Sequence, residues 1–286
     1  MAPTPPSAAD GSHLDAVRRF YDRNTPAFVT LGQGGAVGAI HRAVWGPGVT
    51  TEAAAFRYVE DAIAARLRAR PTPLHVVDLG CGVGASLAYL ASQLPLTGTG
   101  VTISAVQARV AGERIAALGL GNRLTVIEGS YTALPEAVAA ADAAYAIESF
   151  VHGPDPALFF REAARILRPG GVLAICDDVA RPTEDPRAAR TVDRFRRGWH
   201  VRSLLTRDEL DGYANAAGFT RTETLDLTPH LQLGRPRDVL IDLLLPLVAW
   251  LPLEHTRLGH LDGGRALQRG LKRGWIGYDL TFFTKR

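Results

Sequence analysis

Between residues 74 and 180 the chain alternates short apolar runs with longer stretches of helical periodicity. "LHVVDLG" (74–80) is an apolar run ending at glycine, the pattern of a central strand covered on both faces. Further runs of this kind are "GTGVTIS" (98–104), "LTVIEGS" (124–130), "AAYAIES" (143–149) and "VLAICDD" (172–178). "ASLAYLASQL", "AVQARVAGERIAALG" and "PALFFREAARILRPGG" repeat apolar residues at helical spacing between them. Such alternation predicts an α/β fold built on a doubly wound parallel sheet. Outside this block, 14–29 and 51–69 predict helices, joined by the glycine-rich "LGQGGAVGAIHRAVWGPG" (31–48), which reads as a folded loop. After it come an arginine-rich helical stretch (186–200), a helix near "TRDELDGYANAAGF" and two late strands, 220–228 and 277–285. The expected organisation is a helical N-terminal segment (1–70), a core (71–228), a cap insertion (229–274) containing "DVLIDLLLPLVAWLPLEH", and a final strand (275–286).

Composition narrows the class of protein. A length of 286 residues with 47% hydrophobic and 21% charged positions suits one large folded domain or a core with a cap. A net charge of +3 argues against nucleic acid as a partner, and no apolar run reaches membrane-spanning length. The opening "MAPTPPSAADGSHLD" lacks the layout of a secretory signal. Cys81 and Cys176 fall in runs read as buried core, which gives neither a disulfide framework nor a metal motif and fits a cytoplasmic protein. No metal is expected.

The chemistry starts at "VVDLGCGVG". Glycines after a strand let the backbone turn sharply and approach a ligand without a Cβ in the way. A dinucleotide fingerprint wants G-x-G-x-x-G and an acid about 20 residues on. Here Gly80, Gly82 and Gly84 are spaced G-x-G-x-G, Asp78 lies just before them, and the second strand ends in Thr102 and Ile103. No lysine follows as in a P-loop. These features disfavour a nicotinamide oxidoreductase.

"VVDLGCGVG", "GVTIS" with Gln107, "EGSYTALP" and "AYAIESFVHGPDPALFFREAARILRPGGVLAICD" stand in the order seen in the class I S-adenosylmethionine (SAM)-dependent methyltransferases, which this chain resembles. The resemblance implies a Rossmann-like seven-stranded sheet, mostly parallel with the last strand antiparallel, a helical N-terminal lid and a C-terminal cap insertion. It also implies SAM as cofactor. Asp78, Gly80, Gly82 and Gly84 would border its amino-acid and ribose portions, and Gly129, Ser130 and Tyr131 its adenine. In place of the usual ribose-binding acid, Thr102, Ile103 and Gln107 are similar to the subgroup of tocopherol, sterol and cyclopropane-fatty-acid methyltransferases.

The same subgroup has a glutamate and, four residues on, a histidine; here these are Glu148 and His152 in "IESFVH". Glu148 would touch the cofactor and serve as base or cation stabiliser, with His152 as helper. Tyr21 and His41 would close over cofactor and acceptor from the lid. Arg197, Trp199 and His200 are candidates for the acceptor, the arginine reaching a phosphate and the tryptophan offering a π face to a cation. The expected activity is methylation of a small lipophilic acceptor: carbon methylation of an isoprenoid-like alkene first, oxygen methylation of a phenol or polyketide hydroxyl second, with His41 or His152 as its base. A homodimer is compatible with the apolar cap.

Overall fold

The computed structural model describes residues 8–31, 38, 40–234 and 259–286. Its centre is a seven-stranded sheet: β1 (Leu74–Leu79), β2 (Leu96–Thr102), β3 (Leu124–Glu128), β4 (Ala141–Ile147), β5 (Leu167–Ala180), β6 (Phe219–Asp226) and β7 (Ile276–Lys285). The order is β3-β2-β1-β4-β5-β7-β6. β1 pairs in parallel with β2 and β4, and β7 runs antiparallel to both β5 and β6. This is the Rossmann-like architecture expected, with the last strand as the reversed one. The chain reverses direction of travel between β1 and β4, and ligands of open α/β sheets sit at such a switch, outside the carboxyl ends of the strands.

Local chemistry sets the helix boundaries. α2 (Glu52–Leu67) begins where Thr51 accepts from the Ala54 N–H. α3 (Ala85–Gln93) begins at Gly84 with no side-chain cap, so its first amides stay open toward the ligand side. α4 (Ala105–Ala117) is capped by Ser104. Asp155 with Pro156 starts α5 (Pro156–Ile166), Asp185 with Pro186 starts α6 (Pro186–Gly198), and a Thr206–Glu209 capping box starts α7 (Arg207–Ala216). α1 covers Ala8–Leu31, and α8 covers Gly259–Lys272.

Three differences from the expected layout matter. α2 buries Val59, Ile63, Ala64 and Leu67 in the main core, so the covering segment is α1 and the loop from Ile40 to Gly48. β5 starts five residues earlier than the apolar run, because Leu167 already pairs with Ala141 while Arg168–Gly170 stay exposed. The stretch "DVLIDLLLPLVAWLPLEH" (238–255) lies outside the described residues; of the insertion, α8 is described and packs across α6. That crossing is close because Gly263 faces Gly198: a Cβ on Gly263 would come within 2.8 Å of the Gly198 Cα and 2.7 Å of the Trp199 ring.

Candidate active site

A cavity of about 610 Å³ opens at the carboxyl ends of β1, β2, β4 and β5, roofed by α1, α6 and α8. Its cofactor-side wall is built from the first three strands. The Gly80 and Gly82 backbones sit at φ 111° and 51°, conformations that a side chain resists. A Cβ on Gly80 would strike Ser149 at 2.3 Å, whereas one on Gly82 would meet only Ile40 at 3.9 Å, so Gly82 presents bare backbone to the cavity. Gly84 lies behind the wall and serves the turn into α3.

Asp78 is buried on this wall and accepts from the Tyr145 hydroxyl at 2.8 Å. Burial pushes its carboxyl up to about 7, more than the hydrogen bond lowers it. A cation beside it would return it to the ionised form. At the end of β2, Thr102 donates to Gln107 Oε1 at 2.8 Å, which leaves the Gln107 amide NH2 as its donating end. Ile103, Gly129, Ser130 and Tyr131 complete the wall. Open glycine backbone, a carboxyl awaiting a cation and an oriented amide fit the ammonium, carboxylate and ribose of SAM.

The opposite wall carries the charge. Glu148 stands just past β4 at φ 49°, a strained conformation for a residue with a side chain. Its Oε1 accepts from the Arg42 backbone N–H (2.9 Å), Arg42 Nε (3.0 Å) and the Tyr278 hydroxyl (2.7 Å). Arg42 also forks onto both oxygens of Asp178 at 2.8 Å, and its guanidinium lies 4.1 Å from the Tyr278 ring centre. Burial opposes the Glu148 charge, but Arg42 and His41 outweigh it and hold the carboxylate below its usual range. Glu148 is thus a fixed anion, suited to stabilising positive charge and poorly suited to accepting a proton.

The two histidines separate in the same way. His41 Nε2 donates to the wholly buried Glu60 (3.0 Å) and Nδ1 to the Arg42 carbonyl (3.1 Å). Burial lowers its pKa, yet Glu60 more than compensates and lifts it to about 9. His41 therefore lines the cavity as a cation with both protons in use, which corrects its expected role as a base. His152 is the reverse: its Nδ1–H donates to the His200 carbonyl (3.4 Å), and its Nε2 accepts from the Tyr21 hydroxyl (3.1 Å). Burial takes it down to about 4, so it is neutral.

Tyr21 and Trp199 reach the cavity, the latter packed on Phe20 of α1 at 6.0 Å. Arg197 does not. It lies on the solvent face of α6 and pairs with Asp193 at 2.6 Å, because the amphipathic helix turns its basic side outward. The His200 ring packs on Phe20 at 5.7 Å, outside the lining, and this residue serves through its carbonyl. Sequence reasoning passed over Arg42, Asp177, Asp178 and Tyr278. The pair "DD" ending the fifth strand was a usable signal; Tyr278, some 130 residues from Glu148, offered none. Among the described residues no cluster could hold a metal ion.

Comparison with known proteins gives the family. A family model described as a methyltransferase domain matches residues 77–175. The chain is 37% identical to the methyltransferase GfsG of Streptomyces halstedii over 60% of this chain, an alignment spanning 62% of GfsG, less than two thirds of its length. It is 32% identical to an O-methyltransferase of Pyrenophora dematioidea over 76% of this chain and 79% of that one. The fold superposes on geranyl diphosphate C-methyltransferase from Streptomyces coelicolor A3(2) with a TM-score of 0.69, at 17% identity, covering 100% of both chains. The chain belongs to the class I SAM-dependent methyltransferases. It is an enzyme of that family, and SAM is its cofactor.

Proposed function

We propose that the enzyme methylates a hydroxyl oxygen of a small lipophilic acceptor, with Tyr21 and His152 taking the hydroxyl proton. The observation that carries this reading is the neutral His152 on the cavity wall, its Nε2 lone pair held by the Tyr21 hydroxyl at 3.1 Å. Bound SAM supplies an activated methyl group on a sulfonium. Leu14, Val17, Phe195 and Trp199 make the acceptor end apolar and exclude water. The acceptor hydroxyl donates to the Tyr21 oxygen, whose own proton moves to His152 Nε2 as the acceptor oxygen takes the methyl carbon and the carbon–sulfur bond of bound SAM would leave its electron pair on sulfur. The resulting imidazolium donates Nδ1–H to the His200 carbonyl, and Glu148 lies near enough to favour its charge.

The carbon-methylation reading with a diphosphate is weaker. Its recognition needs cations: Arg42 is committed to Glu148 and Asp178 and His41 to Glu60, Arg197 faces solvent, and among the described residues one further arginine, Arg265, lines the cavity. The relative aligned over most of its length is named an O-methyltransferase. The test is incubation of the purified chain with SAM and a panel of naphthols, dihydroxynaphthalenes and decalols, with products read by mass spectrometry and NMR. A one-CH2 gain on oxygen is expected. His152→Ala should lower turnover ~10²-fold or more with SAM affinity unchanged. Methyl groups found on carbon, or an undiminished His152→Ala enzyme, would sink the proposal.

A further inference from the structure

Asp177 lies near the carboxyl end of β5 beside Asp178, is 3% exposed, and lines the cavity wall. Asp178 is neutralised by the Arg42 fork. Asp177 receives only two backbone amides: Val151 N–H on Oδ2 at 3.1 Å and Asp178 N–H on Oδ1 at 2.9 Å. Among the described residues no cation or side-chain donor pairs with it. Each carboxyl oxygen keeps further accepting capacity, and two neutral amides leave a buried carboxyl electrically uncompensated. Burial together with Asp178 accordingly drives it toward its protonated form.

Place decides what can satisfy it. The cofactor-side wall comes from the ends of β1, β2 and β3, and Asp177 stands near the carboxyl end of β5 on the far side of the switch. The Val151 amide that it holds belongs to the residue just before His152, so carboxyl and base share one turn. An anionic group on the acceptor would gain nothing from Asp177, and Glu148, held ionised, would repel it. A hydroxyl meets the carboxyl in either protonation state, since it both donates and accepts.

We infer that Asp177 reads a second hydroxyl of the acceptor, placed beside the one that is methylated, so the favoured substrates are neutral vicinal diols or catechols on a lipophilic frame. This rests on the hydroxyl-acceptor reading above and deepens it. Asp177 is then a specificity-determining residue, and its fixed hold on the Val151 amide keeps Tyr21 and His152 in register with the neighbouring oxygen.

The experiment pairs a change in the protein with a change in the ligand. Binding of 2,3-dihydroxynaphthalene and of 2-naphthol is measured calorimetrically to the full chain saturated with S-adenosylhomocysteine. The wild type should prefer the diol about tenfold or more, and in Asp177→Asn and Asp177→Ser the ratio should fall to about two. A merely structural role for Asp177 would weaken both ligands alike and leave the ratio intact. An unchanged ratio in a folded variant, or a wild type without preference for the diol, overturns the inference; the wild-type arm decides even if neither variant folds. Methylation of the diol on carbon, with the preference intact, would remove the hydroxyl-oxygen reading and leave the role of Asp177 standing. Oxygen methylation without preference would do the opposite.

Discussion

At the scale of single residues, the site is a lesson in how environment divides identical side chains. His41 and His152 both line the cavity, yet one is lifted to about 9 and the other lowered to about 4. The difference is Glu60 in contact with His41, which outweighs burial there, whereas the His152 ring bonds to neutral groups and the field of Glu148 falls short of its burial. Linkage turns this into opposite pH effects. The His41 pKa is raised on folding, so its stabilising contribution is complete below about 6.5, the ordinary histidine value, and is lost as pH climbs through about 9. His152 is depressed, so its contribution stands above about 6.5 and is lost as pH falls through about 4. In His41→Gln the melting temperature should drop near pH 6, and the gap to wild type should close by about pH 10. Thermal melts across that range check it. The acidic limb of the turnover profile should persist in the variant, because that limb belongs to His152; its disappearance would return His41 to the mechanism.

At the scale of elements, much was readable from periodicity and caps. The strands expected at 74–80, 98–104, 124–130 and 143–149 are present within about two residues, because a sheet covered on both faces demands continuous apolar runs. β5 was read short, since its exposed start, Arg168–Gly170, is held by pairing at Leu167 rather than by apolar side chains. The glycine turn was legible as chemistry, because G-x-G-x-G after a strand has few other uses. Arg197 was misread for a physical reason: helical spacing tells which residues share a face, not which face meets the cavity. That choice is made by α8, whose Gly263 lets α6 approach and whose Asp262 pairs with Arg194. Gly263→Leu should therefore push α6 and Trp199 aside. The expected result is an acceptor KM raised ~10-fold or more, with the SAM dissociation constant changed less than about threefold. Equal losses for both ligands would mean that the crossing supports the whole fold and not the acceptor wall.

At the scale of the whole molecule, the charged wall is assembled from remote segments: Arg42 before α2, Glu148 after β4, Asp178 on β5 and Tyr278 on β7. No local pattern encodes those meetings; they follow from the sheet order, which places β4, β5 and β7 side by side. The cover over the cavity depends equally on distant contacts. α1 hangs on a few of them: Tyr21 to His152, His13 to the His152 carbonyl, and the Ser104 hydroxyl donating to Asp22 at 2.5 Å. Its Leu14, Val17 and Tyr21 face the same cavity that receives the cofactor. The sheet and its core cluster, by contrast, are built almost wholly from residues after Val44. Removing residues 1–24 should therefore leave a folded core with unchanged far-ultraviolet dichroism in its sheet component. SAM binding should suffer, because the bound state loses its roof. Ligand linkage makes this measurable: at about 100 times its dissociation constant a ligand stabilises a protein by about 2.7 kcal/mol. At one fixed SAM concentration chosen to meet that condition for the full chain, the shift in melting temperature should shrink by at least half in the shortened one. An undiminished shift would show that α1 covers the acceptor alone, and the acceptor would then have to enter after the cofactor is already fully held by the core.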